Sequence, residues 1–219
     1  MNIVVLIPVY NEELRLPPVL HEVCSAGYSV IVVDDGSTDR THQIVSRFKV
    51  TLLHHSVNLG KGAALKSGCD YAFANGADAV VMMDGDGQHL VSDLDKFVKV
   101  LNSQKYDIIF GSRNMEYGVP LVRFLGNKFA SVVIGLMFSI YISDLLCGYR
   151  AITKASYKQL RWKSSGYGVE TEMVVRTAKK HLRMKEIPVQ TVYYDAVKGV
   201  TILDALNILV DVMMWKVKL

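Results

Sequence analysis

Runs of β-branched apolar residues recur through the first half of the chain, and segments with helical patterning separate them. No other feature constrains the fold as strongly. The runs are "NIVVLIPV" (2–9), "SVIVVDD" (29–35), "VTLLHH" (50–55), "ADAVVMMD" (77–84) and "YDIIFGSR" (106–113). Strands apolar on both faces belong to sheets covered on both sides, and strand–helix alternation yields a mostly parallel sheet. Helices are expected over residues 12–25, from the capping residues of "GSTDRTHQIV" onward, through "NLGKGAALKSGCDYAFANG" to near Gly76, and over "HLVSDLDKFVKVLNS". The fold class is therefore α/β, with a mostly parallel central sheet and helices on both faces.

Three of these strands end in polar clusters: "PVYNE" (8–12), "VDDGSTD" (33–39) and "MDGDGQH" (83–89). In a doubly wound sheet, ligands bind beyond the carboxyl ends of the strands, so all three clusters are expected to line one crevice. Asp84 and Asp86 stand two residues apart around Gly85, with Gly87 following. Such a pair either forms a hydrated turn or binds a hard divalent cation through oxygen ligands, with Gln88 adding an amide oxygen. The glycines leave room for a ligand to approach the backbone. There is no G-x-G-x-x-G after the first strand, and "NLGKGAAL" has the wrong spacing for a P-loop.

The 219 residues suit a single domain, 1–219, with a sizeable core. A net charge of +4 is too mild to argue for nucleic acid. Cys24, Cys69 and Cys147 are odd in number and lack metal-type spacing, which points to a reducing, intracellular setting. The N-terminus has no early basic residue and reads as a strand, not a secretory signal. The most apolar stretch, 129–143, would rise only about 22 Å as a helix, short of the ~30 Å hydrocarbon core. Residues 118–143 are thus candidate membrane-interface helices, with a buried helix or a dimer contact as the alternative. Further on, 166–180 reads as a helix, and 182–194 as an edge or bulged strand because of Pro188. Residues 201–219 read as an amphipathic helix with Asp204, Asn207, Asp211 and Lys218 on one stripe.

"IPVYNEE" (7–13), "VVDDGSTD" (32–39), "NLGKGAALKSG" (58–68), "MDGDGQH" (83–89), "GSR" (111–113) and "DLLCGYRA" (144–151) together resemble the inverting family 2 glycosyltransferases, which have the A-type, Rossmann-like nucleotide-sugar fold. "GYGVETEMVVRTA" (166–178) and "YYDAVKGVT" (193–201) extend the likeness over nearly the whole chain. Within the family the chain is most similar to dolichyl-phosphate mannose synthases and related polyprenyl-phosphate glycosyltransferases. The resemblance implies that Pro8, Tyr10, Glu12, Val33 and Asp35 frame the nucleotide. It implies that Asp84 and Gly85 approach the donor sugar and ribose, that Asp86 is the main ligand of Mg²⁺ or Mn²⁺ with Gln88 assisting, and that Arg113 meets the phosphates. Lys198 falls where the family places a basic residue on the donor diphosphate.

The resemblance also implies a nucleotide-sugar donor (GDP-mannose first, UDP-glucose next) and a polyprenyl phosphate acceptor. It places the enzyme peripherally on the cytoplasmic face of a membrane, and an oligomer is compatible with it. The chain departs from the family at Gly85 and Gly87, where the commoner motif has Ala or another residue. "QLRW" (159–162) does not match, in spacing or context, the motif of hydroxyl-glycosylating members. Three other functions stay open: transfer to a sugar or lipid hydroxyl, a sugar nucleotidyltransferase, and a non-catalytic scaffold. Glu170 and Glu172 are either an acceptor base or helix-start acids favoured by the dipole. His54, His55 and His89 read as structural or solvated.

Overall fold

The computed structural model describes residues 1–113, 121–192 and 210–216, of which 121–124 as backbone alone. The strands are β1 (Ile3–Val9), β2 (Ser29–Asp34), β3 (Thr51–His54), β4 (Ala79–Met82), β5 (Ile108–Arg113), β6 (Arg150–Thr153) and β7 (Met184–Val189). They form one sheet in the order β3-β2-β1-β4-β6-β5-β7. Every pairing is parallel except those of β6, which runs antiparallel to both β4 and β5.

The period of two along each strand sorts its side chains between two apolar layers. Val4, Leu6, Ile31, Val33, Val80, Met82, Ile108 and Phe110 face one layer. It is filled by α3 (Lys61–Ala74), α5 (Leu121–Phe138), α6 (Lys154–Leu160) and α7 (Val169–Lys179). Val5, Ile7, Val9, Val30, Val32, Val81 and Ile109 face the other, against α1 (Leu16–Ser25), α2 (Thr41–Val45) and α4 (Leu94–Asn102). This is the expected sheet, mostly parallel and covered on both faces.

Several local expectations shift. α1 starts at Leu16, not at residue 12, because Pro17 and Pro18 occupy its first turn, where a missing N–H costs nothing. The N-cap of α2 is Arg40, which makes no side-chain cap bond; Asp39 Oδ1 instead accepts the Thr41 N–H at 2.9 Å. β6 was not foreseen. β7 lies at the sheet edge, as its Pro188 demands.

Within 118–143 the described residues 121–143 hold one helix, α5, ended by Ser139 at φ 57°. Within 201–219 the described part is a helix over 210–216, with Val212 in the same core layer as Ile134. Asp204, Asn207 and Lys218 lie outside the described residues. No helix among the described residues is long and apolar enough to cross a membrane.

Candidate active site

In the strand order, β2 and β3 lie on one side of β1, and β4 with the later strands on the other. That reversal opens a crevice beyond the carboxyl ends of β1 and β4. The polar clusters following β1 and β2 are laced together across it. The Asn11 N–H donates to Ser37 Oγ at 3.0 Å, the Thr38 N–H to Asn11 Oδ1 at 2.8 Å, and the Glu12 N–H to Thr41 Oγ1 at 2.9 Å. Pro8 pairs in register with the buried Val33, and Tyr10 is exposed at the mouth.

The cluster after β4 joins them through Gly85. A Cβ there would lie 2.6 Å from Val9 Cγ1 and 3.2 Å from Ile7 Cγ2, so only glycine lets this backbone rest on β1. Gly87 has φ 76° and makes the turn. Both glycines of the Asp84–Asp86 motif thus answer backbone requirements.

Asp84 is the hub. Its Oδ1 meets Lys61 Nζ at 2.7 Å, and the same ammonium meets Glu170 Oε1 at 2.8 Å. Burial pushes the Asp84 carboxyl up, but Lys61 and other positive charge outweigh it and hold it at about 2. Burial likewise pulls the Lys61 ammonium down, and the two acids more than reverse this, so its pKa stands above the ordinary value. Glu170 Oε2 is buried with no partner among the described residues. Gly148 covers the pair so closely that a Cβ would fall 2.5 Å from Asp84 Oδ2 and 2.8 Å from Lys61 Nζ.

Beneath the hub, the Asp84 N–H donates to His89 Nδ1 at 3.1 Å, so that nitrogen carries no proton. Burial lowers the His89 pKa to about 4. The ring stacks on Tyr149, which stacks on Phe97. His89 is therefore a neutral prop, and its 4.0 Å approach to Asp84 Oδ2 is not an ion pair.

Asp86 differs from Asp84. Burial, then the Asp84 charge, raise its carboxyl to about 6, and Glu12 adds further negative charge. The Gln88 N–H donates to its Oδ1 at 3.0 Å. Among the described residues it makes no ion pair. A carboxylate whose ionisation burial and a neighbouring acid oppose fits a divalent cation, which would supply the missing positive charge. Asp86 would hold such an ion, with the Gln88 side chain beside it.

The other implied residues are placed as follows. The Arg113 guanidinium donates to both oxygens of the buried Asp144, at 2.6 and 2.9 Å, and its charge reaches Asp84. Asp144 also accepts from Asn127 Nδ2 at 3.0 Å. Asp35 is buried and accepts from the amides of Leu59 and Gly60 and from His55 Nδ1. Lys198 lies outside the described residues. Glu172 accepts from the amides of Lys163 and Ser164 and from Arg176, so it closes a turn.

Lys61, Gly148, Asp144 and Arg150 escaped sequence reasoning. Lys61 carried one signal: a lysine opening a helix opposes the dipole and calls for an acidic partner. Arg150 is buried and donates to the carbonyls of Cys147, Leu145 and Glu170, which fixes the start of α7.

Comparison with known proteins gives the family and the fold. Residues 4–168 match glycosyl transferase family 2. An uncharacterised protein of Methanocaldococcus jannaschii is 32% identical, over 99% of this chain and 93% of its own length. The UDP-N-acetylglucosamine–dolichyl-phosphate N-acetylglucosaminyltransferase of Methanococcus voltae is 29% identical, over 98% and 96%. Glucosyl-3-phosphoglycerate synthase of Mycobacterium tuberculosis, solved with Mn²⁺, UDP and phosphoglyceric acid, superposes with a TM-score of 0.75. At 18% identity, over 99% of this chain and 78% of that one, it shares the fold.

Proposed function

The chain belongs to glycosyl transferase family 2, and from that membership we propose that it moves a hexose from a nucleotide diphosphate sugar to a polyprenyl phosphate, inverting the anomeric centre. One observation carries the choice of acceptor. Asp84 is held at about 2 and is a poor proton acceptor, Asp86 is assigned to the metal ion, Glu170 is tied to Lys61 and Glu172 to its turn. A sugar hydroxyl needs a base to remove its proton. A phosphate monoester, with its second pKa near ~6, arrives already anionic and needs none.

In this reading Asp84, Lys61 and Glu170 face the donor sugar and fix its orientation, and the Glu170 carboxylate can accept a sugar hydroxyl. Pro8, Tyr10, Glu12, Val33 and Asp35 frame the nucleotide. Arg113, aimed by Asp144, meets phosphate oxygens, and Lys198 is assigned to the donor diphosphate. The acceptor oxygen forms its bond to the anomeric carbon as the bond to the diphosphate breaks on the opposite face. Mg²⁺ or Mn²⁺ at Asp86 and Gln88 would neutralise charge on the leaving diphosphate. The donor is GDP-mannose first and UDP-glucose second; the Methanococcus voltae relative adds UDP-N-acetylglucosamine to the set to be tried.

We further propose a peripheral seat on the cytoplasmic face of a membrane. Leu125, Phe129, Val132 and Leu136 are exposed along α5 at helical spacing, while Asn127, Ser131 and Ile134 of the same helix are buried. Val210 and Met213 expose further apolar surface. Such a face suits an interfacial helix that meets a lipid acceptor at its headgroup.

The test pairs each donor with dolichyl and undecaprenyl phosphate, with Mn²⁺ and with EDTA, and identifies products by mass spectrometry. A glycosylated lipid phosphate is expected. Turnover on free sugars or lipid alcohols with none on lipid phosphates would replace this reading by hydroxyl transfer.

A further inference from the structure

A second cluster stands apart from Asp86, where the carboxyl end of β2, helix α2 and the end of β3 meet. Asp34 is wholly buried, and its Oδ1 is taken by the Ser37 N–H at 3.0 Å. Its Oδ2 faces two imidazoles, with His42 Nδ1 at 3.2 Å and His54 Nδ1 at 3.1 Å. The rings meet edge to face with centroids 4.6 Å apart, and the three ligating atoms lie within 4.8 Å of one another. Among the described residues, Asp34 has no lysine or arginine partner.

We propose that Asp34, His42 and His54 bind one divalent transition-metal ion of the Zn²⁺ class. Two imidazoles and one carboxylate are the donor set such ions prefer over Mg²⁺ or Ca²⁺. With bonds of about 2.1 Å, the two carboxylate–imidazole edges of 3.1 and 3.2 Å subtend roughly 95–100° at the ion, between octahedral and tetrahedral values. The carboxylate is aimed in advance, since Ser37 holds its other oxygen and the register of β2 with β3 sets Asp34 opposite His54. Both rings are nearly half exposed, at 46% and 44%, so water can enter and complete the coordination. The ion would neutralise a carboxylate that otherwise lies buried without a fixed cation. It would also tie α2 to the β3 edge of the sheet. The site shares no residue with Asp86, and its failure would leave the transferase reading untouched.

The test uses Asp86→Ala protein, which lacks the other metal ligand, stripped with EDTA and titrated with ZnCl₂ by calorimetry and thermal melting. One Zn²⁺ per chain is expected, with a raised melting temperature. Adding His42→Ala or His54→Ala is expected to weaken binding by about tenfold or more, with circular dichroism reporting that the fold persists. Both rings are at the surface, and either single variant decides the matter if the other fails to fold. No Zn²⁺ binding by Asp86→Ala protein, or the same affinity after loss of either histidine, overturns the proposal.

Discussion

Lys61 Nζ lies 2.7 Å from Asp84 Oδ1, although Lys61 opens a helix whose N-terminal dipole repels a cation. Asp84 and Glu170 together overcome that repulsion. The pair therefore stands or falls as a three-residue unit, and its components should not behave independently.

Lys61→Met leaves two carboxylates facing each other without a cation. A loss of about 2–3 kcal/mol is expected, below the full cost of breaking a buried pair because the Asp84 side chain keeps 25% exposure. Urea unfolding measures it. Lys61→Met combined with Glu170→Gln should be less destabilised than the sum of the two single variants. Additive costs would show that the three side chains are not coupled.

Gly148→Ala places a methyl group on the Lys61–Asp84 contact. Transfer activity should fall by about 100-fold or more, as the sugar-facing carboxylate is displaced. Gly126→Ala, whose Cβ would meet nothing within 4 Å, serves as the control and should retain activity. Equal activity of the two variants would contradict the close fit at Gly148.

Asp86 must shed its proton to hold a metal ion, and burial beside Asp84 has raised its carboxyl to about 6. The affinity for Mn²⁺ should be level above pH 7 and fall by up to about tenfold per pH unit once the pH drops below 6. Calorimetry at pH 7.5, 6.0 and 5.0 reads this directly. Asp86→Asn should lose the steep pH dependence along with most of the affinity.

His89 is buried in its neutral form at about 4, whereas an unfolded histidine titrates near ~6.5. Between those values the unfolded chain binds the extra proton, so stability rises with pH there. The contribution is complete above pH 6.5 and is lost as the pH falls towards 4, on the order of 3 kcal/mol in all. Comparing urea midpoints at pH 7.5 and 5.0 for the wild type and His89→Gln isolates it. An unchanged pH response in the variant would remove His89 as the cause.

Replacing Leu125, Phe129 and Leu136 with serine changes only exposed positions of α5. Flotation with anionic vesicles should drop sharply, while turnover on a short-chain, water-soluble prenyl phosphate stays near wild type. Undiminished flotation would redirect the apolar stripe to contact between copies of the chain.

The strand ends at Pro8, Asp34 and Asp84 were legible because parallel strands announce themselves as apolar runs and their ligand-binding ends as abrupt polar clusters. β6 was not legible. It has four residues and begins with Arg150, a charge that sequence patterning assigns to solvent, yet backbone carbonyls of Cys147, Leu145 and Glu170 accept its guanidinium in the core. The site divided in the same way. Asp84 and Asp86 share one motif, but what separates them, a lysine from α3 paired with one and no ion pair to the other among the described residues, depends on residues far apart in sequence. Asp35 stood out for its position, and only the fold shows its oxygens occupied by the amides of Leu59 and Gly60.

The antiparallel insertion of β6 ties the early part of the sheet to a late part of the chain. β4 finds its partner on one side in β1, but its other edge stays open until Arg150–Thr153 arrives from much later in the chain. In the strand order β6 joins the first four strands to β5 and β7. The segment leading into β6 also carries Asp144, which aims Arg113, and Gly148, which covers the Lys61–Asp84 pair. The sheet and the site thus depend on the same short segment. Without this segment β4 would lack its second partner, and the Lys61–Asp84 pair and Arg113 would lose the residues that cover and aim them.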